Sequence, residues 1–127
     1  FIKKSSSQAL KANMKIVGAT EYAIVLYRDK LPKFNNDGRM IMNWFNWEID
    51  NGYPKIHPTQ KPIPVLKRLI EIFTDPGDVV IDPTAGSGST LRAAAELNRS
   101  AYGFEVERDM CKKANECMLK TFEISLV

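Results

Sequence analysis

The sequence predicts an α/β fold in which parallel strands alternate with helices, and the order of elements in its second half carries this prediction. A short apolar strand candidate at 78–82 leads through a glycine turn into strong helix formers at 89–97. A second strand candidate at 100–106 precedes an amphipathic segment at 107–122. The order strand–helix–strand–helix favours two parallel strands joined by a right-handed crossover, because that handedness dominates such connections.

The first half of the chain gives a less regular pattern. The serine triplet at 5–7 and the polar residues after it predict a loop. Residues 22–27 predict a strand, because aromatic and branched side chains dominate this run. Between 30 and 56 repeated turn signals interrupt any periodicity, so we expect a short irregular insert there.

A helix is predicted to begin at Pro62, because proline is well suited to the first turn of a helix. Apolar residues then recur at helical spacing on one face, with charged residues opposite. The apolar set is Val65, Leu66, Leu69, Ile70 and Phe73, and the charged set is Lys67, Arg68 and Glu71. The turn sequence at 75–77 ends this helix.

The final helix, predicted over 107–122, contains both cysteines of the chain. This helix is predicted to be amphipathic, and it carries Met110, Cys111, Ala114, Cys117 and Met118. Cys111 and Cys117 are six positions apart, so they point to different faces of a helix and cannot bridge each other there. Two unpaired thiols in a reducing cytoplasm explain them better than a metal or redox pair does.

Composition indicates a soluble cytoplasmic protein. The chain has 127 residues, of which 44% are hydrophobic and 26% charged, which is ordinary for a globular domain. No apolar run approaches the roughly 18 residues that span a bilayer, and no signal peptide opens the sequence. The first residue is Phe rather than Met, and we therefore expect the chain to be part of a longer protein.

Charge is distributed unevenly along the chain. Residues 1–61 carry 10 Lys and Arg against 5 Asp and Glu, whereas residues 62–127 carry 8 against 10. A basic surface attracts the phosphates of nucleic acid. The excess charge therefore predicts either a DNA-facing half or a surface that is merely well solvated.

The glycine turn between the two strand candidates predicts a cofactor site. Gly86 and Gly88 adopt conformations closed to other residues and let a ligand lie against the main chain, while the following helix offers free backbone N–H groups. Glu105 follows Gly86 by nineteen positions. At this spacing in a strand–helix–strand unit an acid reaches ribose hydroxyls. These features predict a ligand that contains adenosine.

The residues around the turn narrow the choice of ligand. A dinucleotide fingerprint needs a third glycine where this chain has Leu91, and a phosphate-binding Walker loop needs a lysine where it has Ser89. Asp82, just before the turn, would repel a pyrophosphate but suits an ammonium or sulfonium group. S-adenosylmethionine combines adenosine with both cations.

Three stretches together resemble a known family. They are His57-Pro58-Thr59-Gln60-Lys61-Pro62, Asp82-Pro83-Thr84-Ala85-Gly86-Ser87-Gly88-Ser89-Thr90 and Gly103-Phe104-Glu105. The sequence resembles the C-terminal half of DNA amino-methyltransferases of the permuted beta class, which modify the exocyclic amine of adenine or cytosine. The family's catalytic Asp-Pro-Pro-Tyr element does not occur in this chain.

The resemblance implies a Rossmann-like S-adenosylmethionine-dependent methyltransferase fold that is incomplete, because the central catalytic strands lie outside this chain. It divides the chain into three parts. Residues 1–29 end the catalytic half, 30–56 form an insert that could face DNA, and 57–127 form the S-adenosylmethionine-binding unit.

The resemblance also assigns cofactor-binding residues, while no catalytic residue and no metal ligand is predicted. Glu105 is expected to hold the ribose. Asp82 and the loop residues Thr84, Ala85, Gly86 and Gly88 are expected to hold the methionine moiety. Thr59 and Lys61 offer a hydroxyl and a cation suited to the cofactor's carboxylate. His57 is expected to be structural, because methyl transfer from a sulfonium needs no imidazole base.

The function implied for the full-length parent is a DNA methyltransferase of a bacterial or phage restriction-modification system, with adenine N6 favoured over cytosine N4. The alternative is a non-catalytic S-adenosylmethionine-binding or assembly module completed by another chain. A nucleotide-dependent oxidoreductase domain is a further rival, against which Leu91 argues. Expected partners are double-stranded DNA and, through an open sheet edge, a second copy of the chain.

An aromatic group within and beside the insert leaves two interpretations open. Its members are Phe34, Trp44, Phe45, Trp47 and Tyr53. Such a group stacks a flipped base or wedges into DNA, or it packs a small subdomain against its neighbours.

Overall fold

The structure is a computed structural model, and it describes residues 2–11, 16–47 and 50–120. The chain forms two compact units. The first comprises Phe1–Pro32 and Asn36–Ile49, and the second comprises Lys33–Asn35 and Asp50–Val127. Each unit has its own sheet.

The first unit contains a three-stranded sheet. Strand β1 (Ile2–Lys11) lies between β2 (Ile16–Glu21) and β3 (Phe45–Trp47). β1 and β2 pair antiparallel, while β3 runs parallel to β1.

Two sequence-based predictions for the first unit are wrong. The serine triplet at 5–7 is not a loop but part of β1, where the register against β2 shifts between Lys3 and Gln8 and so absorbs the extra polar residues. The strand predicted at 22–27 is not formed, because β2 ends at Glu21. No described strand lies alongside this run, and β propensity needs a pairing neighbour to become a strand.

The second unit alternates helices and parallel strands as predicted. Its elements are α1 (Ile63–Phe73), β4 (Val79–Asp82), α2 (Ser89–Glu96), β5 (Ser100–Gly103) and α3 (Arg108–Lys113). β4 and β5 pair in parallel with Val79 opposite Ser100 and Asp82 opposite Gly103. This confirms the α/β class. Among the described residues, none of the helices has the length and apolar character needed to cross a membrane.

One face of the β4–β5 sheet is left uncovered. Val79, Ile81 and Tyr102 alternate with inward residues and are 55%, 63% and 60% exposed. Parallel sheets ordinarily bury both faces beneath helices. The exposed apolar face is therefore what an incomplete Rossmann-like fold presents.

The core of the second unit lies where the helices pack over the other face of this sheet. Its fully buried large side chains come from α1, α2 and the end of the chain's last helix, and each contributes about 1.5–3 kcal/mol by leaving water. They are Ile63, Leu91, Met118 and Leu119. The small side chains of Ala93 and Ala94 let α2 lie close to the elements that it packs against.

The last helix changes its winding midway. α3 continues into a π-helical segment, Ala114–Leu119, whose i→i+5 bonding places an extra residue in the turn. The side chains after it are consequently rotated relative to an α-helix. Cys117, predicted to be a core or half-exposed thiol, is exposed, and Leu119 is buried.

Distant residues satisfy the ends of α1. Asp50 Oδ2 accepts the N–H of Ile63 at 3.1 Å. At the other end, Asn35 Nδ2 and Arg99 Nη2 donate to the carbonyl of Thr74 at 2.8 and 2.7 Å. A helix leaves unpaired N–H and C=O groups at its termini, and a cation suits the C-terminal end. α1 is therefore fixed at both ends by segments far from it in sequence.

Gly88 is constrained both by its backbone and by its surroundings, and this gives a stability prediction. Its φ is +76°, and a Cβ there would lie 3.3 Å from Leu119 Cδ1. Gly77 is a matched control, because its φ is +89° but nothing lies within 4 Å of a Cβ. Alanine at either position carries the left-handed penalty of about 1–2 kcal/mol. Gly88→Ala also requires buried Leu119 to shift slightly, at an overpacking cost of about 1 kcal/mol.

Urea denaturation of the two alanine variants measures this difference. Gly88→Ala should lower the free energy of unfolding by about 1 kcal/mol more than Gly77→Ala, the low end of the overpacking range. Equal losses would mean that the contact with Leu119 is not a constraint.

Candidate functional site

A cleft of about 470 Å³ opens at the carboxyl ends of the two parallel strands of the second unit. Asp82 ends β4, Glu105 follows β5 by two residues, and both line this cleft. Ligands of open α/β sheets bind at this edge, because the strands end there and the following loops diverge. The two acids predicted to share one crevice do share it.

Most residues predicted to bind a cofactor line the cleft. Besides the two acids they are Thr59, Lys61, Thr84, Ala85 and Gly86. Gly88 is not among the lining residues; it is the N-cap of α2 and packs against Leu119. The structure therefore places Gly88 in the turn that shapes the cleft wall rather than on the wall's surface.

Main-chain hydrogen bonds hold the glycine turn, one to the residue after β5 and one within the turn. Ala85 N donates to the carbonyl of Phe104 at 2.9 Å, which links the turn to the residue after β5. Gly88 N donates to Ala85 O at 2.8 Å. Gly86 and Gly88 have φ of 51° and 76°, a region that glycine enters without the penalty of a Cβ. The turn thus needs glycine at both positions.

The carboxylate of Glu105 accepts two backbone hydrogen bonds at the cleft. Its Oε2 accepts the N–H of Gly86 at 2.9 Å, and its Oε1 accepts the N–H of Glu107 at 2.8 Å. A carboxylate has about four lone-pair positions, so two acceptor sites remain for further donors. The side chain can therefore fix the glycine turn and receive ligand hydroxyls at the same time.

Asp82 places a negative charge at the floor of the cleft. Its Oδ1 accepts the N–H of Thr84 at 3.0 Å, which fixes the carboxylate at the start of the glycine turn. A fixed carboxylate beside a turn rich in glycine favours a cationic group on the ligand and disfavours a phosphate.

Another part of the cleft wall comes from His57, Thr59, Gln60 and Lys61, which lie in a segment held by its own side chains. Gln60 is the main brace: its Oε1 accepts the N–H of Ile56 at 3.1 Å, and its Nε2 donates to Pro54 O at 2.9 Å. His57 Nδ1 accepts the N–H of Thr59 at 3.2 Å. This bracing presents Thr59 and the neighbouring Lys61 to the cleft.

Several lining residues were not assigned individually from the sequence, although two of them, Ser87 and Gln60, lie within the stretches assigned to the cofactor pocket. Ser87 and Ser89 are both buried, line the cleft and join their hydroxyls at 2.8 Å. Gln60 and Met110 also line it. The sequence indicated only the lining residues that lie inside the stretches resembling the family, because polar residues within such turns are expected to line a ligand site. Met110 lies on α3, and only the fold brings it here.

Glu96 is the centre of a polar cluster that does not line the cleft. Burial alone would raise its pKa, but hydrogen bonds from Lys67, Tyr53 and Arg92 outweigh burial and hold the pKa of Glu96 at about 2. Tyr53 Oη donates to Glu96 Oε2 at 2.6 Å, and Arg92 also donates to Met118 O at 2.8 Å. The cluster joins α1, α2, the 50–62 segment and the π-helical segment.

The predicted aromatic group is divided between the two units. Phe34 packs edge-on against Phe73 with ring centroids 5.8 Å apart, and Tyr53 lies in the Glu96 cluster, both in the second unit. Trp44 and Trp47 belong to the first unit, where Trp47 is 9% exposed. Phe34 and Tyr53 thus have packing roles.

Within the described residues, no set of three or more His, Cys, Asp or Glu side chains is arranged to hold a metal ion.

The parallel strands, the glycine turn and the acids at the strand ends define a Rossmann-like α/β methyltransferase fold. The chain belongs to the N6_N4_Mtase family of DNA methylases, because the model of that family matches residues 2–116.

Individual relatives agree with this family. The chain is 50% identical over 56 residues to the type II methyltransferase M.HindIII of Haemophilus influenzae, covering 44% of this chain and 17% of that protein. It is 44% identical over 54 residues to the type II methyltransferase M.BglII of Bacillus subtilis, covering 42% and 15%. The chain thus matches less than a fifth of the length of either relative.

A solved structure extends the similarity to most of this chain. The crystal structure of the M1.HpyAVI–SAM complex matches with a TM-score of 0.75 and 26% identity, covering 91% of this chain and 58% of that one. The fold of the chain is therefore that of a methyltransferase domain present in part.

Proposed function

We propose that this chain is the cofactor-binding part of a DNA methyltransferase that moves the methyl group of S-adenosylmethionine to an exocyclic amine, adenine N6 in preference to cytosine N4. The observation that carries this proposal is the cleft in which Asp82, the Gly86 turn and Glu105 meet. Its volume of about 470 Å³ lies in the range of small-molecule sites. The M1.HpyAVI–SAM complex supports the choice of ligand.

The lining residues that were predicted to bind the cofactor have distinct roles toward it. Glu105 accepts hydrogen bonds from the ribose hydroxyls, and these are strong because the acceptor is charged. Asp82 and the loop from Thr84 to Gly86 hold the methionine moiety, with the carboxylate of Asp82 near its positive charges. Lys61 offers a cation to the cofactor's carboxylate, and Thr59 offers a hydroxyl to the cofactor's amino-acid moiety.

The contribution of this chain to catalysis is positioning. The cofactor supplies an activated methyl group, and the residues of the cleft fix the direction in which that group points. Alignment of a donor with its acceptor recovers several kcal/mol of the barrier, on the order of 7–11 in the best cases. The accepting base has to leave the duplex to reach the cleft. Double-stranded DNA is therefore the proposed partner, and the bacterial cytoplasm the proposed location.

The acceptor side is proposed to lie elsewhere in the full-length protein. No Asp-, Asn- or Ser-Pro-Pro sequence followed by Tyr, Phe or Trp occurs in the 127 residues. This observation also favours the second candidate, a non-catalytic S-adenosylmethionine-binding module completed by another chain through the uncovered β4–β5 sheet. An oxidoreductase domain is disfavoured, because Leu91 is 1% exposed in the core where a dinucleotide site has a glycine.

Two measurements test the proposal. Calorimetric titration should show binding of S-adenosylhomocysteine and no response to NAD; the reverse would support the oxidoreductase. Tritiated methyl transfer to unmethylated genomic DNA should be absent with this chain alone and present with the full-length protein, with label on adenine N6. Turnover by the 127-residue chain alone would refute the division of roles, and label on cytosine C5 would refute the reaction.

A further inference from the structure

The turn at residues 57–60 fixes the side chain of His57 against Thr59. Gln60 N donates to His57 O at 3.2 Å, which closes a four-residue turn with Pro58 at its second position, where proline is favoured. His57 Nδ1 accepts the N–H of Thr59 at 3.2 Å. Asn and Asp side chains make this contact to the backbone two residues on, so His57 takes the place of such a residue.

The contacts of Nδ1 determine where the protons are. A backbone N–H can only donate, so Nδ1 of His57 carries no proton and the neutral ring is protonated on Nε2. Thr59 Oγ1 lies 2.9 Å from the same Nδ1. Because Nδ1 is an acceptor, this hydrogen bond forms only when the hydroxyl donates its proton to Nδ1. The hydroxyl of Thr59 is then left with lone pairs and no proton to offer.

This polarity changes what Thr59 can do in the cleft. Both His57 and Thr59 line it. A hydroxyl that has already donated its proton can accept a hydrogen bond from a ligand N–H. Toward a ligand carboxylate it presents only lone pairs, which the negative charge repels. Such a group discriminates between the two ends of an amino-acid moiety.

We propose that His57 is a positioning residue that holds the Thr59 hydroxyl as an acceptor, so that Thr59 binds the ammonium group of the ligand's amino-acid moiety and not its carboxylate. The proposal rests on the function proposed above and specifies one contact within it. His57 itself does not touch the ligand in this proposal.

Matched variants separate the role of Nδ1 from the shape of the ring. His57→Asn keeps an acceptor atom bonded to Cγ, whereas His57→Leu keeps carbon at that position. Binding of S-adenosylhomocysteine should weaken about three- to tenfold in His57→Leu, the effect of one neutral hydrogen bond, and stay within about twofold in His57→Asn. Thermal melts of both variants show whether the unit remains folded.

Analogues of the ligand identify the group that Thr59 meets. With a deaminated analogue of S-adenosylhomocysteine, His57→Leu and Thr59→Val should bind as well as the unsubstituted chain. With a decarboxylated analogue, both should show the full loss. The opposite pattern would overturn the proposal, because the hydroxyl would then meet the carboxylate. Equal binding of S-adenosylhomocysteine by His57→Leu and the unsubstituted chain would also overturn it.

The imidazole can be observed without any ligand. His57 is the single histidine of the chain, so its ring nitrogens give one set of signals in a long-range ¹H–¹⁵N spectrum. The proposal requires the proton on Nε2 in the neutral ring, and a proton on Nδ1 would refute it. If the unsubstituted chain bound no S-adenosylhomocysteine, the proposed function and the ammonium contact would both fall, and this spectrum would still decide the orientation of Thr59.

Discussion

Replacing Glu105 with alanine is expected to weaken S-adenosylmethionine binding more than any other single change in the cleft. Each hydrogen bond from a ribose hydroxyl to the carboxylate is worth about 1.5–3 kcal/mol, because the acceptor is charged. That range corresponds to roughly 10- to 150-fold in affinity per bond. The substitution also removes the acceptor of Gly86 N, which Glu105 holds at 2.9 Å. The glycine turn then loses one of its constraints as well as the ligand contact.

Two variants show which of these effects operates. Glu105→Gln keeps one acceptor oxygen but turns an N–H toward either Gly86 or Glu107, so its affinity should fall between those of the alanine variant and the unsubstituted chain. Glu107→Ala is the matched control, because Glu107 is an exposed acid lining the same cleft and enters the Glu105 contact only through its backbone N–H.

Calorimetry measures the affinities, and urea denaturation reports any change in stability. Affinity in Glu105→Ala equal to that of the unsubstituted chain would remove Glu105 from the site. An equal loss of affinity in Glu107→Ala would show that the overall negative charge of the cleft, and not a specific contact with Glu105, determines binding.

The parallel unit was predictable because its signals are local. The strand at 79–82 is a short branched apolar run, and the turn after it contains glycines at the positions where φ is positive. These features depend on neighbouring residues alone. The placement of Asp82 and Glu105 at one edge follows from parallel pairing, which the strand–helix–strand order already implied.

The contacts that the sequence did not reveal are those between distant segments. Lys67 was assigned to the solvent face of α1 by its spacing, yet its side chain is 27% exposed and pairs with Glu96 on α2. Periodicity ranks residues by polarity and cannot show that two opposite charges meet between packed helices. The bracing of Gly86 by Glu105 was hidden for the same reason, because nineteen residues separate the two.

The first unit shows the opposite failure, in which a local signal was strong and misleading. Residues 22–27 have the composition of a strand, yet β2 ends at Glu21. β1 runs through polar serines that propensity assigns to a loop, because a shift in register accommodates them. Strand formation depends on the partner that completes the ladder, and composition does not specify a partner.

Acidification is expected to destabilise the second unit through Glu96. Its pKa is about 2 in the folded chain against 4.5 for an ordinary glutamate. A carboxyl whose pKa is lowered on folding stabilises the folded state above its ordinary pKa. That contribution is lost as the pH falls from about 4.5 toward 2. The difference between the two pKa values corresponds to an order of 3 kcal/mol. Solvent screening reduces this value little, because the side chain is only 17% exposed.

Glu96→Gln should remove this stabilisation at neutral pH, because it breaks the ion pairs and leaves Lys67 and Arg92 as partly buried cations without their carboxylate. Urea denaturation at pH 7 and at successive lower values measures the free energy of unfolding. The variant should be less stable than the unsubstituted chain by an order of 3 kcal/mol at pH 7. The gap should close as the pH approaches 2.

Glu116→Gln is the control, because Glu116 is 60% exposed and 4.0 Å from Lys112 on the same helix face. Such surface pairs contribute about 0–1 kcal/mol. A gap between Glu96→Gln and the unsubstituted chain that stayed constant with pH would show that the cluster stabilises the fold by packing alone.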